Sequence, residues 1–160
     1  MNKYRPHVYL IPEDDANRQI ANGFVLHHAV QSLNIQIMPP AGGWAKVLET
    51  FKDEYLQVLH NFSDAHVIML IDFDDAYVGR RDRFEKIIPD DVKSRVFVVG
   101  SKVTPEILKS KVKMTLEKIG TSLAQECHGG NRQMWEHDHL KHNKPDLDRL
   151  VTAVKPILFQ

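Results

Sequence analysis

The run HVIMLID, residues 66–72, is apolar almost without interruption until it ends on an aspartate. A half-buried strand alternates apolar and polar residues, so an unbroken apolar run of this length belongs to a strand covered on both faces. Such a strand needs helices above and below it, and the rest of the chain supplies the pattern. HVYLI (residues 7–11) precedes an acidic loop and the helical stretch NRQIANGFVLHHAV, in which Ile20, Phe24, His27 or His28 and Val30 recur at helical spacing despite Gly23. NIQIMPPAGG gives a short strand and a turn, and WAKVLETFKDEYLQVLHNF follows with Val47, Phe51, Leu56 and Leu59 on one face. After HVIMLID come the short helix RRDRFEKII, the fourth strand RVFVVG (residues 95–100), and a helix opened by Pro105. Four strands alternating with helices predict an α/β, Rossmann-like sheet of about four mainly parallel strands.

From Met114 onward the pattern is helical, in LEKIGTSLAQE, RQMWEHDHL and DLDRLVTAVKPILF, with no fifth strand. The expected organisation is one domain over residues 1–160, with a core of about 5–112 and a helical extension of about 113–160. Its 160 residues suffice for a core without disulfides, and the single Cys127 can form none internally. No apolar stretch reaches the roughly 18 to 20 residues of a membrane span, and the opening MNKYRPHVYLIPEDD lacks a signal-peptide pattern, so a cytoplasmic protein without a membrane partner is expected. With 21 basic and 21 acidic residues there is no basic surplus; a nucleic-acid partner must be met by a local patch or through cations.

In open parallel sheets ligands gather at the carboxyl ends of the strands. There this chain places Glu13, Asp14 and Asp15 with Asn17 after the first strand, Asp72, Asp74 and Asp75 after the third, and Ser101, Lys102 and then Glu106 after the fourth. Carboxylates so crowded repel one another unless cations compensate, and hard oxygen ligands suit Mg²⁺ or Mn²⁺. In extended chain Asp72 and Asp74 would point the same way and share one cation. Each acid also has a plainer use, because Asp14, Asp15 and Asp75 sit where helix caps are expected. Arg80, Arg81 and Arg83 have three uses open to them: binding substrate phosphates, screening the acids, or solvating a short helix.

These motifs resemble the Toprim domain of topoisomerases, primases and the overcoming-lysogenization-defect type nucleases. In that family a Glu closes the first strand, as Glu13 does in VYLIPED, and an Asp-x-Asp closes the third, as Asp72 and Asp74 do in LIDFD. The resemblance implies Mg²⁺- or Mn²⁺-dependent phosphodiester cleavage, with Glu13 as ligand or general base, Asp72, Asp74 and Glu106 as ligands, and Lys102 offsetting transition-state charge. Asn17 stands where a second acid is frequent. Nucleic acid is the implied partner, together with a separate ATPase or other protein, and self-association is left open. A second resemblance is to response-regulator receiver domains, in which Asp14 and Asp15 would bind Mg²⁺, Asp72 would accept a phosphoryl group and Ser101 would supply the hydroxyl. That fold, however, expects a shorter interval than Ile35 to Val67 and a lysine on a fifth strand. A noncatalytic interaction module retaining the acidic crevice is the third reading.

Two further segments carry less. CHGGNRQMWEHDHLKHN gathers Cys127, His128, His137, His139 and His142 in a spacing that fits no standard zinc signature, and packing by Trp135 and Leu140 explains it as well. Gly42-Gly43 precedes a helix without the Gly-Lys-Ser/Thr of a nucleotide-binding loop, and reads as a turn.

Overall fold

The three longer apolar runs become strands buried on both faces, and the short IQI run adds a fourth whose middle residue is exposed. In the computed structural model, which describes residues 1–160, they are β1 (His7–Pro12), β2 (Ile35–Ile37), β3 (Ala65–Leu70) and β4 (Val96–Val99). All pair in parallel, in the order β2-β1-β3-β4. The helices are α1 (Asp15–Val25), α2 (Trp44–Thr50), which runs through a π turn (Phe51–Tyr55) into α3 (Leu56–Asn61), α4 (Tyr77–Ile87), α5 (Pro105–Val112), α6 (Leu116–Gly129), α7 (Lys144–Ala153) and α8 (Lys155–Leu158).

Alternation along the strands sorts side chains into two layers. Tyr9, Ile11, Val67, Met69, Val96 and Val98 meet Val47, Phe51, Leu59 and Phe84 from α2 to α4. Val8, Leu10, Ile68, Phe97 and Val99 meet Ala21 of α1, Ala124 of α6 and Ile157 and Leu158 of α8. The segment read as a C-terminal extension therefore supplies part of one covering layer. The result is a Rossmann-like α/β fold whose chain reverses direction across the sheet between β1 and β3, the place where such sheets open a crevice. No helix is long and apolar enough to cross a membrane.

Gly23 weakens the sequence case for a helix, yet α1 needs it. A β-carbon there would overlap the Glu117 carbonyl of α6, and one at Gly120 would overlap the Ile20 carbonyl and lie 2.7 Å from the Phe24 nitrogen. The two helices cross backbone to backbone, and Thr121 Oγ1 donates to the Gly23 carbonyl at 3.0 Å. Gly120→Ala must push them apart, and is expected to cost about 3 kcal/mol, the upper part of the usual overpacking range, in urea unfolding.

The outer edge of β4 shows why no fifth strand is needed. Asp146 accepts the Val98 N–H at 2.8 Å, Asn143 accepts from Gly100 N at 3.1 Å and donates to its carbonyl at 2.9 Å, and Arg149 donates to the Val96 carbonyl at 2.9 Å. Side chains thus occupy the hydrogen-bonding positions a strand would fill, which protects the edge.

Two sequence expectations are corrected. RQMWEHDHL is not a helix but a succession of turns, in which the buried Glu126 carboxylate accepts the Met134 and Trp135 N–H groups. The first helix ends at Val25, short of His27, His28 and Val30; Val30 instead pairs antiparallel with Phe159.

Candidate metal centre

β1 delivers Glu13 to the crevice still tied to β3, its N–H donating to the Leu70 carbonyl at 2.9 Å. Its buried carboxylate reaches across and accepts the Asp72 N–H through Oε2 at 2.6 Å. Asp14 caps α1, accepting Asn17 N at 3.0 Å. The Asn17 amide nitrogen then donates both hydrogens, to Asp14 Oδ1 and to Asp72 Oδ1, each at 2.9 Å. Glu13, Asp14 and Asp72 consequently present one carboxylate oxygen each within 4.8 Å of one another. Asp14 is both cap and cluster member, and Asn17, which stands where the Toprim resemblance leads one to expect an acid, is the bridge between two of the carboxylates.

Burial is the main reason the Asp72 carboxyl is pushed up to about 7, and the charges of Glu13, Asp14 and Asp74 add to it against the opposing Asn17 hydrogen bond. Glu13 is raised by burial as well, opposed by the Asp72 N–H and by Arg80, with Asp14 and Asp74 adding to the rise. Burying and crowding acids in this way is unfavourable for the fold alone, and a cation is what such a set accommodates. Asn17 Oδ1, only 1% exposed at the residue level, has no hydrogen-bond partner, which leaves one more hard oxygen unsatisfied beside the carboxylates. Buried acids, raised carboxyl pKa values and an orphaned oxygen fit a metal ion bound through oxygen.

Asp74 does not extend this set. It and Asp75 take left-handed backbone conformations, φ 47° and 58°, held by the Asp75 N–H donating to the Lys102 carbonyl at 2.7 Å. The chain therefore leaves the extended form that would aim Asp72 and Asp74 together, and the Asp74 carboxylate turns to Arg80 Nη1 at 2.8 Å. Glu106 lies exposed in the first turn of α5 and is no part of the carboxylate cluster. Lys102 Nζ sits 3.7 Å from Asp75 with half its side chain in solvent. Ser101 is buried, and its hydroxyl donates to the Val103 carbonyl within its own loop. Asp15 faces Arg18 and Gln19 on the outside of α1.

The three arginines differ in their polar partners. Arg81 is structural, pairing with the buried Asp146 and with Glu85 at 3.1 Å. Arg80 donates from Nη1 to the Asp72 carbonyl at 2.7 Å as well as to Asp74. Arg83 is exposed, makes no ion pair, and its guanidinium lies 5.3 Å from the Trp44 ring centroid. Trp44 was not among the sequence candidates; the signal for it is the Gly42-Gly43 pair, at φ 97° and 135°, whose N–H groups donate to the Glu13 carbonyl at 2.9 and 3.2 Å. Cys127 and the histidines of residues 128–142 form no three-ligand cluster, and burial pushes the Cys127 thiol up to about 11, away from reactive thiolate.

Neither protein-family models, nor curated proteins, nor solved structures give a match to this chain.

The acids make a pH prediction for the metal-free protein. A carboxyl whose folded pKa lies above its unfolded value of about 3.9 favours the fold while protonated, and that contribution is lost as pH rises through the folded value, about 7 for Asp72. In EDTA the melting temperature is expected to fall between pH 5 and pH 8, and Asp72→Asn to flatten that slope in differential scanning calorimetry.

Proposed function

We propose that Glu13, Asp14 and Asp72 hold a divalent cation, Mg²⁺ or Mn²⁺, and that the protein is a metal-dependent phosphodiesterase acting on nucleic acid. The observation that carries this reading is the set of three carboxylates at the crevice between β1 and β3, two of them buried and two joined by the Asn17 amide. When bound, a cation of this kind supplies charge neutralisation at a phosphate and a more acidic water.

The remaining work falls to the chain. Asn17 fixes the directions of Asp14 and Asp72 through one amide group. Glu13 is anchored by Oε2 on the Asp72 N–H, so Oε1 is free to bind the cation or accept a proton from the attacking water. Arg80 lowers the cost of gathering negative charge, being tied to the loop that carries Asp72 and Asp74. Lys102 stays at the rim with Asp75 in this reading, rather than acting as the charge-offsetting residue.

The Toprim-like expectation draws on Glu13 and Asp72 occupying neighbouring strand ends. The receiver-like expectation shares the strand order but lacks its fifth strand, whose place along β4 is taken by Asn143, Asp146 and Arg149. The test is incubation of the purified protein with labelled DNA and RNA in Mn²⁺, in Mg²⁺ and in EDTA. Metal-dependent cleavage is expected, and its absence in both metals on every substrate removes the reading.

A further inference from the structure

The crevice has a second component that the carboxylates do not explain. Trp44 is half-buried, resting 6.3 Å from the fully buried Phe84 ring, and two guanidiniums lie over it, Arg80 at 4.5 Å and Arg83 at 5.3 Å from the indole centroid. Both halves of this stack are tied to the strand ends that bear the acids. Gly43, next to Trp44, donates its N–H to the Glu13 carbonyl, and Arg80 donates to the Asp72 carbonyl. Arg80 is committed to Asp74, whereas Arg83 has no carboxylate partner and no hydrogen bond, so its donors are free for a phosphate.

An aromatic ring layered with arginines beside a phosphodiester-cleaving site suits one kind of substrate. Bases stack on indole rings and on guanidinium planes alike, and arginines bind the backbone phosphates between them. In a duplex those base faces are already covered by their neighbours, so only an unpaired nucleotide can use the platform. We infer that Trp44 and Arg83, with Arg80 beside them, form a stacking platform for single-stranded nucleic acid that presents an unpaired nucleotide to the carboxylate cluster. This rests on the phosphodiesterase reading for its purpose but makes a separate claim about binding.

The test reads binding in EDTA, where no cleavage can intervene. A fluorescently labelled thymidine oligonucleotide and its duplex with the complementary strand are titrated with the wild-type protein and with Trp44→Leu, Trp44→Phe and Arg83→Ala, following anisotropy at fixed salt. The single strand is expected to bind about tenfold tighter than the duplex; Trp44→Leu should lose about tenfold, as stacking on one aromatic ring predicts, while Trp44→Phe should retain most of the affinity. Arg83→Ala should weaken binding and reduce its dependence on salt. Equal binding of duplex and single strand, or unchanged single-strand affinity in folded Trp44→Leu, overturns the inference. If Trp44→Leu does not fold, Arg83→Ala decides, because it removes only an exposed side chain; unchanged affinity there overturns the inference too. Cleavage of duplex without preference for single strands rejects the platform and leaves the phosphodiesterase, whereas Trp44-dependent single-strand binding without cleavage in any metal does the reverse.

Discussion

Replacing Asp72 by Asn is expected to lower Mn²⁺-dependent phosphodiester cleavage by more than about 100-fold, beyond the loss usual for removing a partner that only orients a metal ligand. The substitution keeps size and shape and takes away the charge that a hard cation requires. It also removes a carboxyl that burial and three neighbouring acids hold up to about 7, so the metal-free variant should be at least as stable as the wild type above that pH. Loss of cleavage with an unchanged or raised melting temperature is thus the expected pair of results, and it separates loss of a ligand from loss of the fold. Asn17→Ala should fall between the two proteins, by about 10- to 100-fold, because it frees Asp14 and Asp72 to move without removing either.

Asp146→Ala is expected to be the most destabilising of these substitutions, by about 3–5 kcal/mol in urea unfolding, the range for breaking a buried ion pair from one side. Asp146 is 2% exposed and accepts from Arg81 Nη2 at 2.9 Å, from Arg149 at 3.0 Å and from the Val98 N–H at 2.8 Å. Truncation strands a largely buried guanidinium and an unsatisfied N–H on the sheet edge together. Asp146→Asn keeps an acceptor for Val98 and should cost less. Cleavage per folded molecule should be unaffected, since Asp146 serves the far edge of the sheet and not the crevice.

What the sequence makes legible here follows from burial. HVIMLID and RVFVVG are apolar on both sides because β3 and β4 are covered on both sides, and the acids that end β1 and β3 meet because those strands are neighbours. The ligand set is less legible. Asp14 looks like a cap and is one, and nothing local says that Asn17, three residues on, will turn the cap's carboxylate toward Asp72. Asp-Phe-Asp suggests two ligands in register, but the left-handed turn at Asp74 and Asp75 depends on a hydrogen bond to Lys102 from a distant loop. The arginines are alike in sequence, and only Asp146 in α7 sets Arg81 apart from Arg83. RQMWEHDHL has helical composition, yet it folds as turns around the Glu126 carboxylate of the preceding helix. In each case the deciding partner lies outside the segment itself, or in a backbone conformation that composition does not encode.

The most direct measurement is a titration of the purified protein with Mn²⁺, followed by the paramagnetic resonance of the free ion, at pH 8 and again at pH 6. Saturable binding at pH 8 is expected, weaker at pH 6 because Asp72 must release its proton to take up the cation, and absent in Asp72→Asn. No saturable binding at pH 8, or binding that Asp72→Asn leaves unchanged, contradicts a metal centre built from Glu13, Asp14 and Asp72.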